Sequence, residues 1–216
     1  MKRCLLVDFD GTVTRCDTTR FLVLSLLRLR PWRLGPVIYG YLRLSRARKD
    51  GETQYWKNWC IGKLLQGLDR WQVAEVMTRF VQQVRPLIRP DVFDYLQRRQ
   101  AGGEDVLIVT ASFEDAVTKV FRDAGFSVLG TKFGHNGAVF GAEAILPECF
   151  AEGKVARIED WVRQQGETVV FTEAWSDTLS DVPMMRLAKQ QIWVCRSTKQ
   201  SSFVAVFPGA KFWNID

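Results

Sequence analysis

The stretch Cys4-Leu5-Leu6-Val7-Asp8-Phe9-Asp10-Gly11-Thr12-Val13-Thr14 decides how this chain is read. Its apolar run is too short for a helix and is closed by a glycine turn. It therefore predicts a buried strand that delivers two aspartates, Asp8 and Asp10, at its end. The same residues also describe a solvated turn with Asx character. A calcium loop is excluded, because its sixth and twelfth positions would be Val13 and Thr19 where glycine and glutamate are needed.

Working outward, the pattern repeats. Val106–Val109 predicts a second buried strand ending at Thr110-Ala111-Ser112. Ser127–Leu129 predicts a third. Val169–Phe171 predicts a fourth that leads into Ser176-Asp177 and Asp181. Ile192–Cys195 predicts a fifth, and Phe203–Phe207 one more. Between them, Asp91 is expected to cap a helix running to about Gln100 and closed by Gly102-Gly103. Ser112 with Asp115 suggests a capping box for the next helix, and Lys154–Gln164 reads as helical. Gly134-His135-Asn136-Gly137 reads as a hairpin turn with His135 at an exposed tip. Strands alternating with helices imply an α/β fold: a Rossmann-like parallel sheet flanked by helices on both faces.

From Asp17 to Arg85 the pattern is helical instead, with Val73, Met77, Phe80 and Val84 at helical spacing. Roughly 70 residues are far more than one crossover helix needs. Residues 15–85 are therefore expected to form an inserted α-helical cap domain, with 1–14 and 86–216 forming the core.

Composition narrows the function classes. With 47% hydrophobic and 25% charged residues, the chain is not of the disordered class. Five scattered cysteines without a C-x-x-C argue for a reducing compartment and against a zinc ribbon. One histidine leaves little room for histidine triads or multi-histidine metal sites. No Gly-x4-Gly-Lys loop occurs, and no cysteine is followed by an arginine six positions later, so Walker-type ATPases and cysteine phosphatases do not fit. An acid as early as Asp8 does not suit a signal peptide, and the longest uncharged stretch of the basic region, Leu34–Leu42, is too short to span a bilayer. A soluble cytoplasmic protein is expected. Between Arg15 and Lys49 nine basic residues stand against one acid, Asp17, which makes the segment +8 and the remainder −2 within a total of +6. Such a segment suits either a solvated helical face or peripheral contact with an anionic membrane. Nucleic acid is not the expected partner.

The chemistry lies at the strand ends. In open parallel sheets ligands sit at the carboxyl ends of strands. That edge would gather Asp8 and Asp10, Thr110 and Ser112, and Asp177 and Asp181, with Lys154 at a helix start beside them. Clustered carboxylates need a cation, and oxygen-only ligands suit Mg²⁺ with a phosphate oxygen in its shell. A lysine and a hydroxyl at a helix N-terminus suit a phosphate dianion. One aspartate can attack phosphorus, and another two residues later can protonate the leaving oxygen. Singly, Thr110 reads as a helix cap, Lys154 as a solvated lysine, and Asp177 and Asp181 as another cap. The ordered set carries the inference.

That set resembles the haloacid dehalogenase superfamily of phosphohydrolases. Asp8–Thr14 resembles its first signature, Thr110 its second, Lys154 its third, and Ser176-Asp177-Thr178-Leu179-Ser180-Asp181 its acidic fourth. The insertion between the first two signatures, the hairpin near Asn136-Gly137, and Pro147-Glu148-Cys149 with Gly153-Lys154 are similar to the phosphoserine phosphatase-like branch. The resemblance implies a Mg²⁺-dependent phosphatase with Asp8 as nucleophile and Asp10 as general acid/base. It places Mg²⁺ on the Asp8 side chain, the Asp10 carbonyl and Asp177, with Asp181 supporting that shell. Thr110, Ala111 and Lys154 would bind the phosphoryl group, with Ser112 in support.

A small phosphorylated metabolite is the expected substrate. Phosphoserine itself fits poorly: Asp17, a shorter acid, stands where that branch carries a glutamate, and Trp56–Leu65 lacks an arginine. The apolar, basic insertion is also similar to bacterial phosphatidylglycerophosphatases, which makes a lipid phosphate the second candidate. A non-catalytic anion-binding module is a third, against which stands the retention of the whole carboxylate set.

Overall fold

A computed structural model describes residues 1–216. Its eight strands are β1 (Lys2–Val7), β2 (Asp105–Phe113), β3 (Ser127–Thr131), β4 (Phe133–Asn136), β5 (Val139–Ala144), β6 (Val169–Ser176), β7 (Gln190–Cys195) and β8 (Lys211–Asn214). Six form one all-parallel sheet in the order β3-β2-β1-β6-β7-β8. β4 and β5 make a separate antiparallel hairpin. The expected Rossmann-like architecture is what the chain adopts, and β1 lies at the centre with Val7 level with Ile108 and Trp175.

Period-two alternation builds two cores. Leu5, Val7, Val106, Ile108 and Trp175 point to one face, where helices α5 (Pro90–Ala101) and α6 (Glu114–Val120) cover them. Cys4, Leu6, Leu107, Val109 and Ala174 point to the other. There α7 (Glu152–Gln165), α8 (Val182–Met185) and α9 (Gln200–Val204) supply Ile158, Met184, Met185 and Phe203.

Between β1 and α5 lie four helices: α1 (Thr19–Leu29), α2 (Leu34–Leu44), α3 (Asp50–Leu65) and α4 (Arg70–Val84). The spacing read from the sequence holds in α4, whose Val73, Val76, Met77, Phe80 and Val84 are buried. Asp69 caps it, accepting from the Gln72 amide at 2.8 Å, while the Gln72 side chain returns to the Asp69 N–H at 3.1 Å. Such a box contributes about 1 kcal/mol. The chain enters and leaves this helical insertion through two adjacent segments, joined by Arg15 N–H to the Leu87 carbonyl (2.9 Å) and Arg89 N–H to the Val13 carbonyl (2.8 Å). The insertion is also fastened to the hairpin. Gly67 and Phe140, then Phe140 and Leu68, exchange backbone hydrogen bonds of 2.8 Å. A Cβ on Gly62 would lie 1.9 Å from the Ala142 carbonyl oxygen, so α3 meets the backbone of β5 only through a glycine.

Several local expectations are corrected. Asp91 does not cap α5; it accepts from Trp213 Nε1 (2.7 Å), tying the helix to β8, and Arg89 holds the cap position. Phe203 belongs to the short helix α9 because it stacks on Trp193 at 4.3 Å, and the last strand forms later, at Lys211–Asn214. His135 stands in β4 and rests on the Phe140 ring; the turn follows it, at Gly137 with φ +64. The basic segment is not uniformly a solvated face. Arg30 donates to the Gln66 and Gly67 carbonyls (2.7 and 2.8 Å) and Arg33 to that of Lys63 (2.6 Å), closing the end of α3, and Arg43 lies over the Trp56 ring at 4.9 Å. Arg46, Arg48 and Lys49 remain exposed. No helix is long and apolar enough to cross a membrane.

Candidate active site

Asp8 is the first residue beyond β1, Thr110–Ser112 lie at the end of β2, and Asp177 follows β6. Parallel strands in register bring all of them to one edge, where a cavity of about 750 Å³ opens beneath α3. Asp8, Asp10, Thr110, Ala111, Ser112, Lys154, Asp177, Asp181 and Asp17 all line it, so the candidate site residues read from the sequence face one space.

Lys154 is 2% exposed and donates to Asp8 Oδ1 at 2.6 Å and Asp181 Oδ1 at 2.8 Å. A solvated lysine is therefore not what this residue is. Burial alone would lower the Lys154 value, but Asp181 and Asp8 outweigh it and raise it above the usual lysine range, so the ammonium stays charged. Asp181 occupies the cap position of α8 without capping it. Its second oxygen accepts from Ser176 Oγ at 2.7 Å instead.

The carboxylates are under strain from one another. Burial drives the Asp8 carboxyl well above the usual range; Lys154 opposes this, and the Asp181 and Asp177 charges add to it. Burial and then Asp181 push Asp177 up to about 6. One hydroxyl, Thr12 Oγ, faces both Asp8 Oδ2 (3.4 Å) and Asp177 Oδ1 (3.2 Å). It has a single hydrogen to donate, so one of these facing oxygens lacks a donor. Gly11 is the residue that permits the approach. At φ +84 its Cα turns toward Asp177, and a Cβ would lie 2.1 Å from Asp177 Oδ2. A buried and a half-buried carboxylate sharing one proton donor fit a hard divalent cation, which takes one or two carboxylates and keeps water in its shell.

Asp10 is held from both sides. Oδ1 accepts from the Thr18 N–H (2.7 Å) and Oδ2 from Ser112 Oγ (2.6 Å). Burial, with the Asp17 charge second, raises its carboxyl above the ordinary value despite these donors. The expected helix-capping role of Ser112 is thereby corrected. β2 runs on to Phe113, α6 has no side-chain cap, and the Ser112 hydroxyl turns to Asp10 across the site. The Thr110 hydroxyl accepts from the Ser112 N–H at 3.1 Å. Asp17 pairs with Lys57 on α3, and that ammonium overcomes the effect of burial and holds it below the usual carboxylate range.

Sequence reading missed two residues of α3. Gln54 Nε2 donates to the Ala111 carbonyl (3.2 Å) and to Asn58 Oδ1 (3.1 Å), and Asn58 Nδ2 donates to Glu148 (2.8 Å). Both are buried and line the cavity. The available signal was a pair of amides at i, i+4 on the helix face that continues into Ile61 and Leu65. Arg89, at the base of the insertion, also lines the cavity, with Nε buried and unpartnered.

Residues 5–186 match the family described as haloacid dehalogenase-like hydrolase. This chain belongs to that family. Among curated relatives, the hydrolase is 28% identical over 212 residues to a histidinol-phosphatase of Neisseria meningitidis, covering 90% of both chains. It is 30% identical to the protein CicA of Caulobacter vibrioides, covering 85% of this chain and 82% of that one. Among solved structures, a Bordetella pertussis protein of unknown function superposes with a TM-score of 0.83 at 20% identity, covering 99% of each chain. A substrate-bound phosphoserine phosphatase superposes with a TM-score of 0.59 at 15% identity, covering 90% of this chain and 86% of that one. At these identities the structural likenesses show the fold of the hydrolase.

Proposed function

We infer that the hydrolase cleaves phosphomonoesters with Mg²⁺ through a phosphorylated Asp8, on a small phosphorylated metabolite. The observation that carries this reading is the convergence of Asp8, Asp10, Lys154 and Asp177 on one cavity, with Lys154 on one oxygen of Asp8 and the Thr12 hydroxyl, shared with Asp177, on the other. The four helices α1–α4 act as the cap over that cavity, with residues 1–14 and 86–216 as the core. Phosphatase relatives support the reaction class.

Asp8 attacks phosphorus, and the bond to the leaving oxygen breaks as the new Asp8–phosphorus bond forms. Asp10, whose value burial raises, supplies the proton to that oxygen and later takes one from the water that frees Asp8. Ser112 and the Thr18 N–H keep Asp10 aimed through both steps. Lys154, Thr110 and the Ala111 backbone hold the phosphoryl oxygens, while Asp181 anchors Lys154. The Asp8 and Asp177 side chains and the Asp10 carbonyl would hold Mg²⁺, which when bound neutralises charge on the phosphoryl group. The test is turnover of p-nitrophenyl phosphate with Mg²⁺ present and after EDTA. Loss of activity in EDTA and its return with Mg²⁺ is expected; unchanged turnover would remove the metal role from Asp8 and Asp177.

A further inference from the structure

A second cavity, about 430 Å³, lies among α1, α2 and α3 and shares the walls Cys16, Asp17, Thr19 and Lys57 with the catalytic cavity. Beyond that shared rim its lining is mainly apolar: Val23, Val37, Tyr41, Leu44, Trp56 and Cys60 line it, with Arg20 as the one charged side chain among them. The volume is that of a small-molecule site. Its walls are built rather than incidental. A Cβ on Gly40 would lie 2.0 Å from Cys60 Sγ, so α2 packs closely on α3 beside the cleft. The Trp56 ring is held by Tyr39 and Trp59 (centroids 5.9 and 5.6 Å) and by Arg43 over it. At the rim, Asp17 and Lys57 neutralise one another, so the passage from the carboxylate-rich cavity into the apolar cleft carries no net charge. Ile38, Tyr41 and Leu42 of α2 stay exposed nearby, 51, 68 and 47%.

We propose that this cleft receives the apolar end of the leaving alcohol, so that the substrates are phosphomonoesters of amphiphilic alcohols bearing an alkyl or aryl group. The proposal rests on the phosphatase reading and names its substrate class. With the phosphoryl group at Asp8, the alcohol points away from the sheet toward α3. A short polar alcohol ends within the catalytic cavity. A longer one passes the Asp17–Lys57 rim and buries its end against Trp56 and Val37. Such burial is worth about two- to fourfold in affinity per methylene. It is felt equally in ground and transition states, so it appears in KM and not in kcat.

The experiment is a series of n-alkyl phosphates, ethyl to decyl, kept monomeric and assayed with the Mg²⁺-loaded full chain. kcat/KM should be flat for the shortest chains, then climb about two- to fourfold per methylene, with kcat constant. Val37→Trp, which fills the cleft, should bring the octyl-to-ethyl ratio of kcat/KM close to one. A series that is turned over without dependence on chain length overturns the cleft proposal and leaves the phosphatase reading standing. Absence of turnover of every ester, p-nitrophenyl phosphate included, overturns the phosphatase reading. The cleft is then judged by calorimetry. Octylphosphonate binding at least tenfold tighter than ethylphosphonate in the unsubstituted chain, lost in Val37→Trp, supports it, and equal binding overturns it. A last arm presents lysophosphatidate in phosphatidylcholine vesicles beside monomeric octyl phosphate. Faster turnover from vesicles assigns the amphiphile to a membrane, and faster turnover of the monomer assigns it to solution.

Discussion

Replacing Lys154 with methionine asks how far a buried ammonium offsets the burial of the Asp8 carboxylate. The substitution keeps an unbranched chain of similar reach and removes only the charge. In the native chain that charge is 2% exposed and lies 2.6 Å from Asp8 and 2.8 Å from Asp181. Removing one partner from a buried ion pair costs about 3–5 kcal/mol. For a chain of this length 1 kcal/mol shifts Tm by about 2–4 °C, so K154M should melt about 6–20 °C lower at pH 8 in EDTA. The sign of the pH dependence separates charge from packing. A carboxyl whose folded value lies above its unfolded one takes up a proton more readily in the folded state. Its penalty is therefore full above the folded value and disappears as pH falls toward the unfolded one, near 4. Asp8 already lies high, and loss of Lys154 moves it higher. Lys154 itself stays charged across this range in the native chain. The Tm deficit of K154M should thus shrink clearly between pH 8 and pH 5, and Asp8→Asn added to K154M should restore part of it at pH 8. Differential scanning calorimetry of the three variants measures this. An equal deficit at both pH values, or a deficit below about 1 kcal/mol, would refute the reasoning and reduce Lys154 to a packing residue.

Other outcomes follow from the same geometry. Asp8→Asn should lower turnover of p-nitrophenyl phosphate by at least about 10³-fold while the thermal transition stays cooperative, because the amide keeps the shape and loses the attacking charge; comparable rates would exclude Asp8 as nucleophile. Gly11→Ala should destabilise the fold by about 1–3 kcal/mol in urea and weaken Mg²⁺ binding, since its Cβ would strike Asp177 Oδ2 from a left-handed backbone; an unchanged midpoint would show that the loop relaxes freely. Mg²⁺ affinity by calorimetry should fall between pH 7.5 and pH 5, because protons compete for Asp177 at about 6. In the absence of metal the Asp177 contribution runs the other way, with stability lost as pH rises from about 4 to 6, so added Mg²⁺ should raise Tm more at pH 7.5 than at pH 5.

Sequence alone determined the α/β layering and the placing of the reactive groups. Short apolar strands such as Leu5–Val7 and Val106–Val109 are local signals, and a parallel sheet aligns their carboxyl ends, so Asp8, Thr110 and Asp177 meet as a consequence of chain direction. The helical insertion was legible for a similar reason, because the 3.6-residue period of Val73, Met77 and Phe80 needs no partner to be seen. Caps and contacts were another matter. Ser112 and Asp181 both carry the local signature of a helix cap, yet Ser112 turns to Asp10 and Asp181 to Lys154 and Ser176. A hydroxyl or carboxylate takes the strongest partner within reach, and of those partners Asp10 and Lys154 lie 102 and 27 positions away along the chain. The arginines of the insertion followed the same rule, with Arg30 and Arg33 drawn from solvent to the unpaired carbonyls at the end of α3. Only the tertiary structure could show Gln54 and Asn58 reaching the core, Gly11 making room for Asp177, and Gly40 seating α2 on Cys60 beside an apolar cleft. Each depends on the distance between two surfaces, and that distance is set by the packing of whole helices rather than by the residues on either side of it in the chain.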